Sequence, residues 1–227
     1  MVKKTKKSES LLELRTRTRK IISRLRRIFP NPKVALEHRD PLQLLVATIL
    51  SAQCTDERVN QVTPSLFKKY RTAKDYAGAN VAEFEQEIRS TGFFRAKTKS
   101  IISCSKQLVQ KHGGRVPQTM EELVQLPGVG RKTANCVLGA AYGIASGVVV
   151  DTHVKRLAQR MGFSKDDDPE KIEQDLMQIV PKRDWIDFGN MLIWHGRKTC
   201  QARKPNCPEC TINDLCPSAE SFIKSLT

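Results

Sequence analysis

The chain has 227 residues, with 39 Lys and Arg against 24 Asp and Glu, a formal charge of 39 − 24 = +15. That length carries a full core, as one large domain or two small ones, and 39% hydrophobic residues is too apolar for a disordered polyelectrolyte. No unbroken apolar run approaches the ~18 residues that a membrane-crossing helix requires, which sets a membrane protein aside.

In chain order, MVKKTKKSES starts like a secretion signal, but LLELRTRTRK follows and charge interrupts any apolar segment. Residues 1–9 therefore read as a solvated, disordered basic tail on an intracellular protein. Leu11, Leu12, Leu14, Ile21, Ile22 and Leu25 recur at three- and four-residue spacing, with arginines and lysines on the opposite helix face. Asp40-Pro41 caps a buried helix through PLQLLVATILSAQ. Thr55-Asp56 opens another helix, in which Pro64 should kink or divide the run. Further helical patterns cover 81–90, 96–111, 119–126, 131–142, 152–161, 169–179 and 184–197, with Gly92, Gly113-Gly114 and Gly162 at their ends. GVVVD at 147–151 is the one β-branched run of interest, so the predicted fold class is all-α.

The most informative segment is TMEELVQLPGVGRKTANCVLGAAYG. A helix ends at Leu126, Pro127-Gly128-Val129-Gly130 makes a tight turn, and a second helix starts at Arg131. Two glycines let the backbone turn sharply, and the amides of the turn and of the following helix start can hold a phosphate oxygen whatever the base sequence. Read on the glycines alone, the alternative is an ordinary helix–turn–helix connection. Lys132 lies in the first turn of the second helix, where the positive end of the dipole disfavours an ammonium, and a neutral amine is a nucleophile. A lysine beside an arginine is by itself a solvated phosphate contact, so a chemical role requires a partner. Asp151, in VVVDTHV, is both a helix N-cap and a fixed carboxylate able to offset positive charge developing at a sugar carbon. His153 reads as a local packing or hydrogen-bonding residue.

The seven cysteines are odd in number and unevenly spread, which argues against a disulfide framework. Four of them, Cys200, Cys207, Cys210 and Cys216, are spaced 6-2-5 within one short loop, a pattern that suits a metal centre. Structural zinc usually uses two short Cys pairs; here only Cys207–Cys210 is one, so a cubane iron–sulfur cluster fits better. Arg203 and Lys204 lie inside the first interval, as phosphate contacts on a basic finger or simply as exposed charges on a surface turn.

Together LPGVGRKTAN, VDTHV, SAQCTDERVN and the 6-2-5 cysteine spacing resemble the bacterial endonuclease III family of DNA glycosylases over residues 20–217. The resemblance implies a helix-hairpin-helix glycosylase fold: a six-helix barrel domain over 38–146, and a discontinuous second domain, 10–37 with 147–227, that carries a C-terminal [4Fe–4S] loop. The two helical domains would flank a DNA-binding cleft in which Lys132 is the Schiff-base nucleophile and faces Asp151, the carboxylate aiding base departure. It also implies that Gln53 fills the space left by an extruded nucleotide and that Phe93, where relatives often carry leucine, wedges into the stack. Cys54 stands where alanine is common in relatives. Gly128, Val129, Gly130, Arg131, Arg203 and Lys204 complete the expected DNA contacts. The implied protein is a monomeric cytoplasmic, nucleoid-associated bifunctional N-glycosylase and abasic-site lyase acting on double-stranded DNA with oxidised pyrimidines. The alternatives are a relative with another base preference, in an adenine or oxidised-guanine context, or a non-enzymatic DNA-binding module. Lys132 argues against the adenine-removing relatives, and lysine with aspartate in register argues against the module.

Overall fold

The structure is a computed structural model that describes residues 9–224, all helix, turn and loop; residues 1–8 of the expected tail lie outside the described residues. Twelve α-helices follow in order: α1 Leu11–Ile28, α2 Pro41–Leu50, α3 Asp56–Lys69, α4 Ala73–Ala77, α5 Val81–Glu87, α6 Phe94–His112, α7 Met120–Leu123, α8 Arg131–Tyr142, α9 Thr152–Arg160, α10 Pro169–Ile179, α11 Trp185–Lys198 and α12 Ala219–Lys224. No helix is long and apolar enough to cross a membrane among the described residues.

The chain divides into two compact units, Val34–Ser146 and Met1–Lys33 with Gly147–Thr227. The contiguous unit is built on buried apolar side chains of α2, α3, α6 and α8, among them Leu44, Leu45, Leu66, Ile101, Leu108, Val137 and Leu138. Tyr70, Tyr76 and Phe84 fill one end, their ring centroids 5.1 and 5.3 Å apart about Tyr70. In the discontinuous unit Ile21, Ile22 and Leu25 of α1 join Leu157, Leu176, Phe188 and Leu192 in a second core.

Caps set most helix starts. Ser10, Asp40, Thr55, Thr72, Asn80, Thr119, Asp151 and Asp168 each accept a backbone N–H from the first turn of the helix they precede. The starts of α6, behind Phe93, and of α8, behind Gly130, have no side-chain cap.

Several expectations require correction. The helix from Pro41 stops at Leu50 instead of Gln53, because the Ser51 hydroxyl bonds the Thr48 carbonyl at 2.9 Å and the chain then turns through Gln53 at φ 52°. Pro64 does not divide α3; Val59, Thr63 and Leu66 bury one face across it, and packing outweighs the lost backbone bond. The α5 helix gives way after Glu87 to a 3₁₀ turn at Arg89–Thr91, and α7 is a single turn. The arginines of α1 are not merely a solvated face: Arg15 donates to the Gln178 carbonyl, Arg17 to those of Met161 and Leu215, and Arg24 to that of Thr211.

Candidate active site and cysteine loop

In the contiguous unit α2 ends, α6 begins, and the hairpin before α8 all reach one pocket of about 290 Å³ lined by Thr48, Ile49, Ala52, Gln53, Phe93, Ala96, Lys97, Ser100, Gly128 and Thr133. Three residues singled out in separate stretches of sequence, Gln53, Phe93 and Gly128, therefore line one pocket. Gln53 at φ 52° and Phe93 at φ 47° are the two non-glycine residues with left-handed backbone among those described. Such conformations cost on the order of 1–3 kcal/mol each and persist where the surroundings over-determine them, commonly at functional sites. Phe93 is also 65% exposed, an apolar ring held in solvent.

The hairpin is asymmetric. Gly128 has φ +78°, and a Cβ there would stand 2.6 Å from the Ser100 Cβ, so this position needs glycine twice over. Gly130 does not: its φ is −91°, and a Cβ would meet nothing within 4 Å. Only one of the two glycines is required by the turn, which corrects the reading that both are. Val129 is a core residue, 5% exposed, and its N–H already donates to the Leu126 carbonyl at 3.1 Å, so it offers a ligand neither side chain nor amide. Gly128 and Gly130 are exposed, and the helix behind Gly130 starts uncapped, leaving first-turn amides without intrahelical acceptors.

Arg131 is half-buried and Lys132 exposed in the first turn of α8. Four residues on, burial pushes the Cys136 thiol up, while the Thr48 hydroxyl and then the Lys132 charge pull it back. Asp151 lies in the other unit, half-buried, with its Oδ1 accepting the Val154 N–H at 2.8 Å; the carboxylate is pinned at the N-terminus of α9. His153 makes a local contact at 3.1 Å with Arg156, as expected.

Cys200, Cys207, Cys210 and Cys216 line a single cavity with Arg160, Met161, His195 and Ile212. No group of three or more His, Cys, Asp or Glu among the described residues is drawn in closely enough for one metal ion. Burial first, with the neighbouring thiols adding to it, pushes Cys207, Cys210 and Cys216 up, so loading this site must release protons. Arg160 donates to the Cys200 sulfur at 3.2 Å and to the carbonyls of Gln201 and Ala202, and the buried His195 Nε2 lies 3.6 Å from the Cys210 sulfur. Arg203 and Lys204 are exposed. Sequence reasoning missed Arg160, His195 and Lys97. The first carried a signal in its four-residue spacing from Arg156 on α9; the buried lysine and histidine carried none.

Comparison with known proteins decides the lineage. Residues 46–182 match the model of the HhH-GPD superfamily of base excision DNA repair proteins. The endonuclease III of Synechocystis sp. is 53% identical over 205 residues, covering 90% of this chain and 94% of that one. The chain belongs to the endonuclease III family. A non-covalent endonuclease III–DNA complex superposes with a TM-score of 0.88 at 42% identity, covering 92% of this chain and 98% of that one. A trapped endonuclease III–DNA covalent intermediate, an estranged-adenine complex, gives a TM-score of 0.87 at the same identity and coverage. The all-helical architecture is thus that of the endonuclease III fold.

Proposed function

We propose that this chain is a bifunctional DNA N-glycosylase and abasic-site lyase of base excision repair, acting on oxidised pyrimidines in double-stranded DNA. The observation that carries the reading is the trapped covalent DNA intermediate of a relative that matches 92% of this chain at 42% identity, because a covalent adduct requires a nucleophile and Lys132 stands exposed at the start of α8. The damaged nucleotide rotates out of the duplex, since its glycosidic carbon is inaccessible within the stack. The Lys132 amine attacks C1′ as the base departs; the pinned Asp151 carboxylate offsets the cationic sugar and helps proton movement to the leaving base. The sugar ring then opens, the C1′–O4′ bond breaking as O4′ takes up a proton, to give an iminium that acidifies the C2′ proton; removal of that proton expels the 3′ phosphate by β-elimination. Gln53 and Phe93 enter the duplex beside the vacated position, and the amides of Gly128, Gly130 and the α8 start, with Arg131, hold backbone phosphate.

The donor set of the cysteine loop fits a [4Fe–4S] cluster: four thiols about one cavity, an arginine bonded to one sulfur and a histidine beside another. Cys200, Cys207, Cys210 and Cys216 would hold it. Bound there, a cluster would stiffen the loop that carries Arg203 and Lys204, two exposed cations available to phosphate.

The test is borohydride trapping on duplexes carrying thymine glycol, oxidised guanine, uracil or an abasic site. Wild-type protein should trap on thymine glycol and on the abasic site. Lys132→Ala should lose trapping and strand cleavage while keeping duplex affinity; retained trapping would sink the nucleophile assignment.

A further inference from the structure

Lys97 is 4% exposed, although it is a lysine on the wall of the pocket that holds Gln53 and Phe93. Its Nζ donates 2.7 Å to the Leu50 carbonyl and 2.7 Å to the Thr91 carbonyl. Leu50 is the last residue of α2, three before Gln53; Thr91 closes the 3₁₀ turn, two before Phe93. The ammonium thus caps the negative end of the α2 dipole and the end of a second helical turn at once, which offsets the cost of taking the charge out of water. Its own backbone N–H donates to the Phe93 carbonyl at 3.0 Å, closing the first turn of α6. Two strained left-handed residues from segments some forty positions apart are therefore tied through one side chain.

We infer that Lys97 is a positioning residue for base extrusion: by clamping the Leu50 and Thr91 carbonyls, it sets the separation of Gln53 and Phe93 so that both side chains enter the duplex together. This rests on the reading of Gln53 and Phe93 given under the proposed function. A buried ammonium suits the task because two charge-assisted bonds to backbone fix the chain itself, whereas an apolar side chain there would leave two buried carbonyls unsatisfied and the turns free to drift.

The test uses the full-length protein and a duplex with a single thymine glycol beside a 2-aminopurine, whose fluorescence rises on unstacking. Lys97→Met should slow both the fluorescence change and single-turnover base excision by about 10- to 100-fold, the range expected for misplacing positioned groups. Affinity for the undamaged duplex should stay within about twofold, and Lys97→Gln, which keeps an amide donor, should fall between. In a Gln53→Ala/Phe93→Ala background, already slow, Lys97→Met should cost no more than about a further twofold, since the residue acts through those two side chains. Wild-type extrusion in both Lys97 variants, or losses that multiply in the background lacking both Gln53 and Phe93 side chains, would overturn the assignment. Where Lys97→Met does not fold, Lys97→Gln carries the same cycle. If Phe93→Ala and Gln53→Ala both extrude at the wild-type rate, the wedge reading fails and takes the Lys97 role with it; if they are slow while the Lys97 variants are not, the Lys97 role alone fails.

Discussion

Replacing Gly128 by alanine would put a methyl carbon 2.6 Å from the Ser100 Cβ and 3.0 Å from its hydroxyl, on a backbone already at φ +78°. Two costs add. Forcing an extra carbon into a packed contact typically costs about 1–3 kcal/mol, and holding an L-residue in left-handed conformation roughly 1–2 kcal/mol more. The expected loss is about 2–5 kcal/mol, which for a chain of this size lowers the melting temperature by roughly 5–15 °C. The two costs are separable, because Ser100→Gly removes the atoms being struck. That change alone weakens α6 by about 1 kcal/mol, as glycine does inside a helix. In the double variant the clash disappears while the backbone strain remains, so unfolding energies should show a favourable coupling of about 1–3 kcal/mol. Urea unfolding of the four proteins, followed by circular dichroism, measures it. If Gly128→Ala costs less than about 1 kcal/mol, or if Ser100→Gly restores nothing, the close approach of the hairpin to α6 is not what demands glycine.

Asp151→Asn keeps an N-cap side chain for α9 but removes the charge, so stability should change by a few tenths of a kcal/mol while base excision falls steeply; Asp151→Ala should add a cap loss of about 0.5–2 kcal/mol in thermal melts. Equal excision by the wild type and the Asn variant would leave the carboxylate with capping alone. The purified protein should be yellow-brown, with four irons per chain by elemental analysis, and chelating the iron should destabilise the discontinuous unit; a colourless protein with stoichiometric zinc would refute the cluster. With a net charge of +15, duplex affinity should drop by orders of magnitude between about 50 and 200 mM salt, and a flat response would contradict phosphate-dominated binding.

Much of this architecture was legible because it rests on local signals. Asp40-Pro41 and Thr55-Asp56 mark helix starts that the structure repeats, and the patterns over 131–142 and 169–179 are matched residue for residue by α8 and α10. The short α4, capped by Thr72 and Asp75, escaped notice because five residues hold too little of a 3.6-residue period. The α12 helix, six residues long, escaped for the same reason. What the sequence could not disclose depends on long-range contacts. Gly128 and Gly130 look alike as letters, yet only Gly128 lies against Ser100. Val129 sits between them with the look of an exposed turn residue and belongs to the core. Lys97 falls among alternating charges in FRAKTKS, where a solvated face is the natural reading, and its burial follows from two carbonyls contributed by distant turns.

The interleaving of the two units along the chain has a consequence for biosynthesis. Residues 34–146 form one uninterrupted unit, so on the ribosome it can collapse as soon as it emerges. The α1 helix emerges earlier but cannot bury Ile21, Ile22 and Leu25 until α10 and α11 have been translated, more than a hundred residues later. Throughout that interval its apolar stripe is a sticky nascent surface, a standing invitation to chaperones. The arginines that eventually dock onto distant carbonyls meanwhile keep the waiting segment charged and hydrated.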